Sequence, residues 1–298
     1  MKSRLLLPEQ MNYVEAYLTL GCNLKCDYCI NGDIERKRDK LSGEEWINSL
    51  NELDFKGLPI TLGGGEPTLH PDFYDIVNGL EGNVDLLTNG TFDEDEFIKR
   101  LSPDDFTQGE QPFYHPIRMS FHVGQTDEKE IIEKNKTLIN AGFNPAIFGI
   151  NHPFNINDNM QMAWKCNNEG VPFYTKDFLG EVDGKKIGFY KYPNAVKSTG
   201  YTEDGASYPT TRPVMCRSKE LLVAPDGLIY KCHRDLYKAE NPIANIKSLM
   251  QQQKGFRIPY RPTHEFRHCD NYGDCNPCDV KQKTNRFLGG VECQVEII

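Results

Sequence analysis

The chain has 298 residues, 38% hydrophobic and 26% charged, as expected of a soluble globular protein with room for one large domain and a small one. No stretch approaches the ~20 apolar residues of a membrane span, so no membrane partner is expected. With 34 basic against 43 acidic residues, a net charge of −9, the chain is poorly suited to a nucleic-acid backbone.

In chain order, residues 12–20 read as a strand that feeds a cysteine-bearing loop. Ser42, with Glu45 three positions on, is a capping-box pattern that opens a helix over 42–53. Residues 58–62 form a short apolar strand that runs into Gly63-Gly64-Gly65-Glu66-Pro67. A helix over 70–80 and a strand over 83–87 follow, and the strand ends at Thr88-Asn89-Gly90. Next come a helix over 93–101, a strand over 117–122, a helix over 126–141, a strand over 145–150, a helix over 158–169 and a strand over 171–175. Strands that alternate with helices imply parallel βαβ units, whose sites lie at the carboxyl ends of the strands. The cysteine loop, the glycine run and Thr88-Asn89 all follow strands, so one rim is expected to collect them.

After residue 178 the rhythm changes. Residues 179–215 read as a bridge with a hairpin near Val182–Lys185. Leu221–Tyr230 reads as a second hairpin that turns at Pro225, Asp226 and Gly227. A short helix is expected over 245–254, and cysteine-rich loop beyond it. The expected division is therefore 1–178, 179–215 and 216–298.

Cys22, Cys26 and Cys29 form a C-x3-C-x2-C run, with Tyr28 just before the last cysteine. Three thiolates can hold three irons of a cubane cluster, and a fourth iron is left open to substrate. Structural zinc asks for four ligands, and no fourth stands near residue 29. Disulfides ask for an oxidising compartment. The three apolar residues before Pro8 are too few for the apolar region of a signal peptide, so a cytoplasmic location is expected. Of the ten cysteines, Cys166 stands apart and reads as a buried, inert thiol.

The C-x3-C-x2-C loop followed by Gly64, Gly65 and Glu66 resembles the radical S-adenosylmethionine (radical SAM) superfamily. The resemblance implies a partial (β/α)6 TIM-like barrel, and in it Cys22, Cys26 and Cys29 hold a 4Fe-4S cluster. Gly64, Gly65 and Glu66 then meet the amino group of SAM, and Tyr28 lies near the adenine. Thr88 and Asn89 can face the ribose, or form a simple turn. Ser120 or His122 can reach the ribose or the carboxylate. Asn151, His152, Lys176 and Asp177, at the ends of the last two strands, face the substrate cavity. There they orient substrate or move a proton, or else they are solvated loop residues. An electron donor such as flavodoxin or ferredoxin is also implied.

Cys216 and Cys232 flank the second hairpin as C-x10-G-x4-C, with Gly227 at its turn. This resembles the opening of a SPASM/twitch auxiliary-cluster domain. Cys269-x5-Cys275-x2-Cys278 follows, with Cys293 near the end, and the first member of the full SPASM run is missing. One auxiliary iron–sulfur cluster, of 4Fe-4S type, is expected on Cys216, Cys232, Cys275 and Cys278. Cys269 is the main substitute and Cys293 the second. A four-cysteine zinc site is the alternative.

The expected chemistry is abstraction of a hydrogen atom from a small molecule, leading to dehydrogenation, epimerisation or cyclisation. A maturase of ribosomally made peptides competes with it. The 21 residues before Cys22 leave no room for a leader-binding domain, which favours the small molecule. A non-enzymatic iron–sulfur or zinc protein is the reading from another class.

Overall fold

The computed structural model describes residues 5–6, 13–29, 40–55, 57–108, 114–177, 180–182, 185–187, 212–218, 220–250, 267–272 and 293–297. Six strands, β1 (Tyr13–Thr19), β2 (Ile60–Gly64), β3 (Val84–Thr88), β4 (Ile117–Phe121), β5 (Pro145–Asn151) and β6 (Phe173–Asp177), pair in parallel and in sequence order. Five helices connect them: α1 (Gly43–Asn51), α2 (Phe73–Gly79), α3 (Glu94–Arg100), α4 (Glu128–Asn140) and α5 (Ile156–Asn168). This is the expected partial α/β barrel. The capping box forms at α1, where the Glu45 N–H donates to Ser42 Oγ and the Glu45 carboxylate accepts from the Ser42 N–H.

Alternation along the strands sorts side chains onto two faces. Val14, Ala16 and Leu18 of β1 join the apolar core under the helices, with Trp46, Phe73 and Phe97. Tyr13, Glu15, Tyr17 and Thr19 take the other face, and all four are buried.

The second hairpin is not separate from this sheet. β7 (Glu220–Val223) pairs in parallel with β1, then β8 (Leu228–Tyr230) and β9 (Ala244–Asn245) add antiparallel. Leu221, Leu222, Val223, Ala224, Ile229 and Tyr230 are fully buried there. A further helix, α6 (His233–Lys238), follows Cys232 and was not expected from the sequence. The expected 245–254 helix begins one residue later, as α7 (Ile246–Met250), where Asn245 Oδ1 accepts from the Lys247 N–H.

The remaining C-terminal loop expectation is corrected at two places. Arg267–Tyr272 and Cys293–Ile297 are strands, and they flank Arg212–Ser218 in a three-stranded antiparallel sheet. Arg267–Tyr272 lacks an apolar alternation, whereas Cys293-Gln-Val-Glu-Ile297 alternates strictly, a strand signal that the loop expectation passed over. Partners distant in sequence supply the pairing of both. The hairpin near 182–185 is present, with Val182 opposite Lys185.

Candidate active site

Strands β1, β2 and β3 end side by side, and their loops meet. The Gly65 N–H donates to Thr19 O (2.7 Å) and the Glu66 N–H to Gly21 O (2.8 Å). A Cβ on Gly64, whose φ is +132°, would lie 2.1 Å from Thr19 O, and one on Gly65 would lie 2.1 Å from Gly21 O. The two glycines therefore admit the stem of the cysteine loop itself, at a distance no other residue allows.

Glu66 is fully enclosed. Its Oε1 accepts from the Thr68 N–H (3.2 Å), the Thr68 hydroxyl (2.7 Å) and the Thr88 hydroxyl (2.8 Å), and its Oε2 accepts from the Asn89 N–H (2.6 Å). Burial pushes its pKa up against the pull of these donors. The expected cofactor residues Glu66, Thr88 and Asn89 thus form one network that ties the second and third strand ends together.

Cys22, Cys26 and Cys29 are partly exposed, and none is in a disulfide. Burial, then the nearby Cys29 and Cys22, pushes the Cys26 thiol up to about 12. Cys26 thus feels the other two sulfurs, and bound positive charge would relieve that. Cys22 Sγ accepts from the Leu24 N–H (3.4 Å) and from Asn89 Nδ2 (3.7 Å). Among the described residues no three His, Cys, Asp or Glu side chains converge as for a single metal ion. A cluster gives each thiolate its own iron and does not require that convergence, so the loop fits a cluster better than a lone ion.

Tyr28 lies between two histidines. Its hydroxyl is 3.0 Å from His122 Nδ1, and its ring stacks on His152 with centroids 5.4 Å apart. Burial lowers the His122 pKa to about 4, so the ring is neutral and Nδ1 can accept the phenol proton. Burial, then Cys26 and Cys29, pushes the Tyr28 pKa up. His152 is lowered by burial, against Asp27. Phe154 extends this row, 5.3 Å from His152.

Ser120 is half-buried at the end of β4. Asn151 is tied to α5, its Oδ1 accepting from Asn159 Nδ2 at 3.3 Å. The Lys176 ammonium lies 5.0 Å from the Phe148 ring centre. These residues share the carboxyl-end rim.

Sequence reasoning missed several participants. Asn23 and Thr91 close a ring with Asn89, and Gln125 Oε1 accepts from the Lys25 N–H at 2.6 Å. It also missed the charged groups of the inner face. His233 Nδ1 is 2.9 Å from Glu220 Oε2, and its Nε2 is 3.3 Å from Glu15 Oε2. Arg118 pairs with Asp85 at 2.9 Å, and the Tyr114 hydroxyl donates to the same carboxylate. The available signal was a charge at an alternating position in an apolar strand: Glu15, Asp85 and Arg118.

In the second cysteine group, Cys232 is buried at the start of α6. Cys216 lies on the central strand of the small sheet, where Val214 is opposite Cys269 and Ser218 is opposite Cys293. Cys275 and Cys278 lie outside the described residues. Cys166 is fully buried, and burial raises its thiol to about 12.

Residues 17–164 match the model of the Radical SAM superfamily. The chain belongs to this superfamily of enzymes, and membership implies SAM and a 4Fe-4S cluster. "Mycofactocin maturase MftC" of Mycobacterium tuberculosis is 32% identical over 93 residues, 30% of this chain and 24% of that protein. "Molybdenum cofactor biosynthesis protein 1" of Homo sapiens is 27% identical over 194 residues, 61% of this chain and 30% of that protein. The chain thus spans under a third of the length of either relative. The solved structure "Native anSMEcpe with bound AdoMet and Cp18Cys peptide" shares the fold, with a TM-score of 0.55 at 16% identity, over 85% of this chain and 81% of that one. No helix among the described residues is long and apolar enough to cross a membrane.

Proposed function

We propose that this protein binds SAM at a 4Fe-4S cluster on Cys22, Cys26 and Cys29 and abstracts a hydrogen atom from a small-molecule substrate. The observation that carries this is the set of three cysteines, none in a disulfide, on a loop locked to the Gly64–Glu66 segment. When bound, the cluster supplies one electron to SAM, which gives methionine and a 5′-deoxyadenosyl radical.

The residues have separable tasks. Tyr28, Ser120 and His122 border the cofactor, and neutral His122 orients the Tyr28 phenol. Gly64, Gly65, Glu66, Thr88 and Asn89 shape the rim that receives the methionine end and the ribose. Asn151 orients substrate, and His152 or Lys176 moves a proton. A flavodoxin or ferredoxin supplies the electron, in the cytoplasm.

The C-terminal cysteines hold one auxiliary iron–sulfur cluster of twitch type, at Cys216, Cys232, Cys275 and Cys278, with Cys269 as the substitute. Cys269 and Cys293 lie two strand spacings and four residues apart, roughly 16 Å from standard strand geometry. That is too far for both to reach one four-iron cluster.

A peptide substrate is the second reading. It is supported by likeness to a protein named as a maturase and to a structure titled with a bound peptide.

The test is anaerobic reconstitution of the chain, followed by SAM and dithionite. The parent should form 5′-deoxyadenosine and Cys26→Ala should form none. Formation at the parent rate by the variant would overturn the proposal.

A further inference from the structure

We propose that Asn89 sets the reduction potential of the first cluster by donating an N–H···S hydrogen bond to Cys22. The inference rests on the cluster proposed above and assigns Asn89 a role other than contact with the ribose.

The orientation of the Asn89 amide follows from its partners. Its Oδ1 receives the Thr91 backbone N–H at 3.0 Å, and a backbone N–H can only donate, so that atom is the oxygen. The Thr91 hydroxyl also donates to it, at 2.7 Å. The other terminal atom is therefore the NH2 group. One of its hydrogens goes to Asn23 Oδ1 at 2.8 Å, and the other faces Cys22 Sγ at 3.7 Å. Asn23 Nδ2 donates in turn to Thr91 Oγ1 at 2.8 Å, which closes the ring.

The donor is also held rigidly. The Asn89 backbone N–H is fixed on Glu66, and the Gly90 N–H donates to Thr88 Oγ1 at 3.0 Å. Lys134, buried on α4, donates to Gly90 O at 2.9 Å and to Phe92 O. Asn89 is itself buried, which strengthens the bonds its amide makes.

An electron added to an iron–sulfur cluster increases the negative charge on its sulfurs. A donor aimed at one of them stabilises the reduced form more than the oxidised form and raises the potential. The Leu24 N–H supplies a second donor that no side-chain substitution removes. Asn89 is the adjustable one.

The test is a potentiometric titration, followed by electron paramagnetic resonance, of the SAM-free, reconstituted full chain. The first-site signal is the one absent from a Cys22/Cys26/Cys29 triple-Ala variant. Asn89→Asp keeps the acceptor for Thr91 but turns an oxygen toward the sulfur, so its midpoint should fall below the parent's. Asn89→Ala should fall less. Thr91→Val leaves Asn89 in place but removes the hydroxyl that steadies it, and should shift the midpoint the same way by a smaller amount. It serves if the Asn89 variants lose the cluster. Unchanged midpoints with weakened SAM binding would overturn the proposal and make Asn89 a cofactor contact. A parent chain with no iron at this loop would overturn the cluster reading, and this inference with it.

Discussion

The two faces of the same strands differ more than any two elements do. The outer face of β1 presents Val14, Ala16 and Leu18 to the helices, in a core where Phe97 packs 4.5 Å from Phe92 and 5.5 Å from Phe143. The inner face presents Glu15 to His233, and its neighbours present Asp85 to Arg118. Burial is complete or nearly so on both. The outer face gains from area removed from water and tolerates approximate fit. The inner face has already lost its hydration and depends on each partner being present. The barrel is thus held by one face and aligned by the other, and the polar inner face runs up to the rim where the cysteine loop begins.

The sharpest way to break this comparison is Arg118→Met. It leaves the Asp85 carboxylate buried without its ion partner and should cost about 3–5 kcal/mol in urea unfolding of the metal-free protein. A cost below about 1 kcal/mol would show that the inner pairs are not needed. Phe97→Ala, on the outer face, should cost about 3–5 kcal/mol through a cavity. It should leave SAM cleavage per folded molecule near the parent's, since Phe97 lies away from the rim; a selective loss of activity would blur the distinction between faces.

His122 allows a pH test. Its folded pKa, about 4, lies below its ordinary 6.5. Between these values the unfolded chain takes up a proton that the folded chain refuses. Stability from this group is therefore lost as pH falls from 6.5 to about 4, by about 3 kcal/mol at most. His122→Gln should flatten that part of the stability profile, and an unchanged profile would mean that the histidine is hydrated. The smallest effect is expected from Glu66→Gln, which places an NH2 group among four donors. Loss of a charge-assisted bond of roughly 1.5–3 kcal/mol should weaken SAM binding about ten- to a hundred-fold by calorimetry. Unchanged affinity would separate Glu66 from the cofactor.

What the sequence determined by itself was local in origin. The six strands and five helices were legible because period, caps and glycine breaks act within a few residues, as at Ser42 and Glu45. The cysteine loop was legible because its spacing lies within eight residues. Tertiary structure decided the rest. The pairing of β7 with β1 and the contact of Glu15 with His233 join residues more than 200 positions apart, and no local pattern encodes such partners. The same holds for the register that sets Cys269 opposite Val214 and Cys293 opposite Ser218, which no spacing in the sequence encodes. Glu66 illustrates the division most plainly. Its glycine context announced a special loop, but only the packed rim shows its carboxylate enclosed by Thr68, Thr88 and Asn89, because burial and hydrogen bonding depend on groups delivered by other strands.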